Sequence, residues 1–285
     1  MSFQKRAVTI NDISGIGKCS VTVALPILSA AGIESSILPT ALLSTHTGGF
    51  DGFTFLDLTD EMTGIINHWD TLDIKFDAIY SGYLGSTKQM EIVESFIDRF
   101  KKDDTLVLVD PVMADAGKFY SGFSEDYLDG MRKLCSKADI IVPNITEALF
   151  LSGREYDDGP YDRDTMIHIM KELSITTGCP NVVVTGINLT DNEFGAASYS
   201  AKTDSANFAI APHISGFYHG AGDVFASSLL AALLNDNDLE KSTEIAVDFT
   251  EQAIIRTRDA GTDTRFGVNF EAGLPKLIKQ LGLYN

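Results

Sequence analysis

Short runs of β-branched and apolar residues recur along this chain, separated by longer stretches with helical spacing. The runs are AVTI (7–10), SSILP (35–39), DAIYSG (77–82), TLVLVDP (105–111), DIIVPN (139–144) and NVVVTG (181–186). They are apolar continuously rather than at alternate positions, so both faces of each strand must be covered. Helices packed on either side of a mostly parallel sheet meet that requirement, which predicts an α/β doubly wound fold. Thr87 to Lys101 and Ser124 to Lys137 carry the helical pattern. The stretch Ala196–Tyr199 followed by Asn207–Pro212 reads as an antiparallel addition near one edge. No Pro/Gly/Ser-rich linker, low-complexity tract or internal repeat interrupts the alternation, so residues 1–285 read as a single domain.

A formal charge of −18 with no basic cluster argues against nucleic acid or an anionic membrane as partner. A phosphate ester, if one binds, must be met locally by a metal ion, backbone N–H groups or a helix N-terminus, because the overall field repels it. Cys19, Cys135 and Cys179 are odd in number, far apart and free of any C-x-x-C spacing, which fits a reducing cytoplasm without structural zinc. MSFQKRAVTI at the N-terminus runs straight into polar Asn11 and Asp12, too short for the apolar region of a signal peptide, and no stretch of about 18 apolar residues offers a membrane span.

Polar residues gather at the carboxyl ends of the expected strands: Asn11 and Asp12, Ser81, Asp110, Asn144 and Thr185. In open α/β sheets the ligand lies beyond those ends. Each residue taken singly is also an ordinary turn or cap residue. Together they mark out one rim.

Two glycine-rich stretches compete for an anion. NDISGIGKCS (11–20) has half of a phosphate-loop pattern, but G-x-x-x-x-G-K-[ST] would need glycine at Asp12 and a hydroxyl at Cys19. The dinucleotide pattern G-x-G-x-x-G also fails there, so these glycines read as a tight strand-to-helix turn. HGAGDVFASSLLAALLN (219–235) is the better candidate. Gly220, Ala221 and Gly222 carry almost no side chain, and they lead into an apolar helix, Val224 to Leu234. The start of such a helix offers unpaired N–H donors and the positive end of a dipole. Asp223 is either an N-cap or, beside an anion hole, a general base for an attacking hydroxyl.

THTGG (45–49), SGYLGS (81–86), DPVMAD (110–115), ADIIVPNITEA (138–148), VVVTG (182–186) and HGAGDVFAS (219–227) stand in an order that resembles the vitamin B6 kinases of the ribokinase-like superfamily. SGYLG and DPVM are specific together, whereas GAGD alone marks only the superfamily. The resemblance spans most of the chain. It implies a three-layer α/β/α fold around a central, mostly parallel twisted sheet, and ATP-dependent phosphorylation of a hydroxymethyl group on a pyridine ring.

Carried over by position, the resemblance makes Asp223 the catalytic base and Gly220, Ala221 and Gly222 the anion hole; Ala221 replaces a residue that often carries a hydroxyl or a branch in relatives. It sets Asp110 near the phosphates and metal, Asp115 in a loop over the nucleotide, and Thr185 on the ATP phosphates. Asn144 and Glu147 match an N-x-x-E motif associated with Mg²⁺ and phosphate through water, although Asn144-Ile145-Thr146-Glu147 is equally a capping box in outline. Asp12, His46, Thr47 and Tyr83 fall where the family surrounds the substrate. The loop from Ala114 to Ser121 has the small residues of a lid. Arg256 and Arg258 read as solvated residues of a late helix.

Two other readings stay open from the sequence. NDISGIGKCS also resembles the equivalent turn of hydroxymethylpyrimidine kinases, and a carboxylate at position 12 suits a ring with exposed donors. A non-catalytic nucleotide- or B6-binding regulator would keep the fold without needing the base. A homodimer follows only by family analogy, and neither the preferred vitamer nor a need for K⁺ is legible.

Overall fold

The computed structural model describes residues 4–283; the first three residues of the N-terminal segment considered above lie outside it. The chain divides into two compact units, one formed by residues up to 85 together with those from 214 onward, the other by residues 86–213.

The first unit opens with β1 (Arg6–Ile16), α1 (Val21–Ala30), β2 (Glu34–Thr45), β3 (Phe55–Asp57), α2 (Thr59–Asp70) and β4 (Ala78–Ser81). Its strands lie in the order β4-β1-β2-β3, with β1 parallel to both β4 and β2 and the short β3 antiparallel at the edge. Strands β1 and β2 run several residues beyond the apolar runs that announce them. Between Asn11 and Ile13 their register shifts, a bulge that turns side chains out of the regular alternation. This is where the polar rim residues begin.

The second unit contains α3 (Thr87–Phe100), β5 (Leu106–Val109), β6 (Ala114–Asp115), β7 (Lys118–Phe119), α4 (Glu125–Cys135), β8 (Ile140–Ile141), α5 (Ile145–Leu151), α6 (Arg163–Thr177), β9 (Asn181–Thr190), β10 (Glu193–Ser200) and β11 (Ser205–Pro212). Strands β5, β8 and β9 are parallel neighbours, and β10 and β11 extend the sheet antiparallel, as expected for that edge. The two helices read from spacing are found within a residue or two of their expected ends. In α3, Ser86 accepts the Gln89 N–H as N-cap, and Met90, Val93, Phe96, Ile97 and Phe100 form the buried stripe.

The chain then returns to the first unit with α7 (Ala221–Leu234), α8 (Leu239–Asp259) and α9 (Leu274–Gln280). Every residue of α7 from Val224 to Ala232 is buried, because α1 packs on one side of it and α8 on another. A helix covered by neighbours along this whole length is a core helix, and each large apolar side chain buried there contributes about 1.5–3 kcal/mol. That burial holds the glycine-rich start of α7 rigidly in place. Among the described residues no helix is long and apolar enough to cross a membrane.

Candidate active site

In the first unit the start of α7 meets the turn after β1. Gly220 is the N-cap, in the left-handed region at φ +73°. Its Cα comes so near the chain that a Cβ there would stand 1.9 Å from the Lys18 carbonyl oxygen. Two independent constraints therefore require glycine at 220. The helix begins earlier than its apolar run suggests, so Asp223 occupies the third helical position and makes no capping bond. Val224 N–H bonds back to Gly220 and Ala221 N–H weakly to Tyr218. Among the described residues no acceptor takes the N–H groups of Gly222 or Asp223, which leaves two donors at the positive end of the helix.

The Asp223 carboxylate faces residues of β1 and of the turn after it. Withdrawal from water pushes its pKa up to about 7, and the nearby Asp12 charge pushes the same way, against stabilisation by the Ser20 N–H and the Asn11 amide. A carboxylate poised near neutrality suits a general base. Asp12 is itself buried; its oxygens accept from Ser20 Oγ at 2.5 Å and Ser14 Oγ at 2.9 Å. Burial raises its pKa, with those two hydroxyls opposing. Cys19, beside both carboxylates, has its thiol pushed well above the usual range by burial and then by Asp223 and Asp12, so it stays protonated at neutral pH.

Of the residues expected around a substrate ring, Tyr83 follows β4 and has its hydroxyl pKa raised by burial, then by Asp12 and Asp57. Thr47 is exposed. His46 is buried with both ring nitrogens engaged by backbone: Nε2 lies 2.6 Å from the Arg265 carbonyl oxygen, and Nδ1 accepts the Gly48 N–H at 3.1 Å. A carbonyl can only accept, so the ring is held in the Nε2–H tautomer. What His46 can offer a ligand is a ring face, and that face already neighbours Phe50 and His219, each with centroids 5.0 Å away.

The half phosphate loop holds no free lysine. Lys18 Nζ is bound by Asn269 Oδ1 at 2.8 Å and Glu271 at 3.2 Å, and Lys18 N–H bonds to the Phe266 carbonyl. Gly17, at φ +92°, makes the strand-to-helix turn. The solvated reading of Arg258 agrees with its exposed pair to Asp259. Arg256 differs: it is half-buried, its Nε donates to the Asn269 carbonyl at 2.8 Å, and its guanidinium packs on Gly273.

In the second unit Asp110, Asn144 and Thr185 follow one another at the carboxyl ends of β5, β8 and β9. Asn144 and Thr185 form a parallel bridge, with Thr185 N–H bonded to the Pro143 carbonyl. The capping box is real: Asn144 Oδ1 accepts the Glu147 N–H at 3.0 Å and Glu147 Oε2 accepts the Asn144 N–H at 2.9 Å. Glu147 does more than cap. Its Oε1 also takes the N–H groups of Met113 and Ala114, while Asn144 Nδ2 donates to the Ala114 carbonyl at 2.7 Å. Burial pushes the Glu147 pKa up to about 8 against these three N–H donors, and the Asp115 charge adds to the rise.

The expected lid loop is a small hairpin, β6–β7, turned by Ala116 and Gly117 at φ +46° and +74°, the positive values that a two-residue hairpin loop demands. Asp115 flanks that turn opposite Lys118, half-buried, with Oδ1 on the Ala116 N–H. Thr146 Oγ1 ties the tip to α5 through the Gly117 N–H at 3.1 Å. Thr146→Val keeps the shape and removes the acceptor. It is expected to cost about 1 kcal/mol and to speed hydrogen exchange at the Gly117 amide; protection equal to the unaltered protein would show that this tie does not hold the hairpin.

Sequence reasoning gave no role to Ser20, Cys19 or His219. Ser20 has φ +56°, which its residue type does not announce. His219 does have a visible signal in hindsight, standing directly before Gly220; it has its pKa lowered by burial and by His46.

An α/β fold with a carboxylate and free amides at the start of one buried helix agrees with the ribokinase-like class that the sequence resembles. The chain belongs to the phosphomethylpyrimidine kinase family, whose model matches residues 27–267. Its relatives include the pyridoxine/pyridoxal/pyridoxamine kinase of Bordetella avium, 30% identical over 260 residues that cover 85% of this chain and 82% of that one. A candidate phosphomethylpyrimidine kinase from Bacteroides thetaiotaomicron, crystallised with pyridoxal, superposes with a TM-score of 0.90 at 35% identity, covering 98% of this chain and 96% of the other. The pyridoxal kinase of Lactobacillus plantarum gives a TM-score of 0.90 at 29% identity, over 99% of this chain and all of that one.

Proposed function

We propose that this protein is a pyridoxal kinase, transferring the γ-phosphoryl group of ATP to the 5′-hydroxymethyl group of pyridoxal, pyridoxine or pyridoxamine. The observation that carries this reading is Asp223, held near neutral pKa beside two unpaired amides at the start of α7. Asp223 takes the proton of the hydroxymethyl group as its oxygen attacks phosphorus. The free amides of Gly222 and Asp223, in the anion hole expected at 220–222, and the helix dipole stabilise charge on the transferred group. Asp12, His46, Thr47 and Tyr83 enclose the ring; Asp110, Asp115, Asn144 and Thr185 serve the nucleotide. A single kinase domain over residues 1–285, a cytoplasmic setting and a homodimer belong to the same proposal.

Mg²⁺ fits the donors of the second unit in one manner only. Glu147 spends both oxygens on backbone N–H groups, and no group of three or more His, Cys, Asp or Glu side chains that could hold a metal occurs among the described residues. Asp110 and Glu147, acting through water, would therefore hold an ion coordinated mainly by phosphates and solvent, as Mg²⁺ prefers. When bound it supplies charge neutralisation of the phosphates.

The match to the phosphomethylpyrimidine kinase model supports a second reading, phosphorylation of hydroxymethylpyrimidine. Incubation with Mg·ATP and a mixture of pyridoxal, pyridoxine, pyridoxamine and hydroxymethylpyrimidine, with and without K⁺, followed by product mass, tests both. Phosphorylated B6 vitamers are expected in excess. A dominant pyrimidine product would favour the second reading, and calorimetric binding of ligand without any product would mark a non-catalytic binder.

A further inference from the structure

Asn11 has a donor that the fold fixes in place and leaves unused. The residue is fully buried on β1. Its Oδ1 accepts two backbone N–H groups, Asp12 at 3.0 Å and Tyr83 at 2.9 Å. With two donors on the oxygen the amide has only one satisfactory orientation. Nδ2 then makes no hydrogen bond of normal geometry, an uncommon state for a buried donor. Space is reserved for it, since a Cβ on Gly82 would lie 2.3 Å from Nδ2. The Asp223 carboxylate lies within the electrostatic reach of this amide and of the Ser20 N–H, both of which pull its pKa down. Ser20 presents that N–H from φ +56°, ψ −130°, a backbone conformation unfavourable for a non-glycine residue, while its Oγ is gripped by Asp12. Strain of this kind persists only where neighbouring contacts impose it.

We propose that Asn11 is a positioning residue for Asp223: its Nδ2–H, with the Ser20 N–H beside it, holds one carboxylate oxygen so that the other faces the acceptor hydroxyl. Asp12 contributes by keeping Ser20 in its twisted conformation. The inference rests on Asp223 being the base of the proposed kinase. The titratable groups facing Asp223 are Asp12 and Cys19; His46 and Tyr83 in turn face Asp12, and the ammonium of neighbouring Lys18 is taken by Asn269 and Glu271.

Two measurements test it, and the first needs no activity. In the unaltered protein carrying ¹⁵N-asparagine, the Asn11 side-chain amide resonance should titrate with Asp223, with its midpoint near neutral pH, and the step should vanish in Asp223→Asn, where the other groups still titrate. A resonance flat across that range, or a step surviving in Asp223→Asn, overturns the proposal. The second is Asn11→Asp, which keeps an oxygen for the two backbone N–H groups and replaces the donor with a second carboxylate oxygen. The acid limb of kcat/KM should move up by about one pH unit and kcat at pH 7 fall about tenfold, with KM for ATP unchanged. An unmoved limb and kcat in folded Asn11→Asp protein would also overturn it; if that variant does not fold, the resonance decides. Should no substrate be turned over while the resonance behaves as expected, the kinase reading fails and the Asn11–Asp223 pairing stands.

Discussion

Asp223→Asn protein is expected to phosphorylate pyridoxal about 10²–10⁴-fold more slowly than the unaltered protein, with little change in KM. Asparagine keeps the size of the side chain and loses the lone pair that would take the proton. The same carboxylate sets the pH dependence. It works only when ionised, so with a pKa of about 7 in the free protein kcat/KM should fall tenfold per unit below neutrality. Near-normal turnover in the variant would remove Asp223 from the mechanism.

Stability should move in the opposite direction. A carboxyl raised from an ordinary 3.8 to about 7 on folding binds its proton more tightly in the folded state. Its favourable contribution is complete below about pH 4 and is lost as pH rises through 7. The uncharged amide of the variant carries no such penalty. Asp223→Asn should therefore melt above the unaltered protein at pH 8, the difference shrinking as pH falls from 7 toward 4. A difference in Tm that is constant with pH would contradict the raised pKa. Loss of activity with gain of stability is the usual mark of a strained functional group.

The second large effect is expected at Gly220. Gly220→Ala must adopt φ +73° with a side chain and must push its Cβ into the Lys18 carbonyl oxygen, 1.9 Å away. That obstacle is backbone, not the end of a flexible side chain, and it belongs to the turn that carries Cys19 and Ser20. A loss of at least about 3 kcal/mol is expected, seen as a lowered denaturant midpoint together with lost activity. Gly222→Ala is the matched control. It has open space around it and no positive φ, and alanine favours a helix over glycine by about 1 kcal/mol. Its stability should hold or rise, and its N–H is retained. Equal tolerance at both positions would mean that the approach to Lys18 is not tight.

Much of this architecture was legible because its causes are local. Continuous apolar runs such as TLVLVDP and NVVVTG call for buried parallel strands wherever they occur, and β5 and β9 lie there. N-x-x-E spells a capping box from four adjacent residues, and α5 has one. The extra strand β3 left no such trace. Its three residues are all exposed, so no pattern of burial marks them, and only pairing with β2 makes them a strand.

Roles within the site were legible only in part. Glycine at 220 and the apolar helix after it pointed to an anion site because a helix start has unpaired donors in any protein. The chain's own text also determined the parallel α/β scheme, the rejection of a phosphate loop at Lys18 and the choice of Asp223 as the carboxylate to watch. Tertiary structure alone decided what those groups touch. Lys18 is neutralised by residues some 250 positions later, His46 spends its nitrogens on Gly48 and on the distant Arg265, and Asn11 acquires its orientation from Tyr83. Strand and helix preferences arise from neighbours a few residues apart. Hydrogen bonds and pKa values depend on which distant segment returns to the same few ångströms, and that is settled only when the whole core packs.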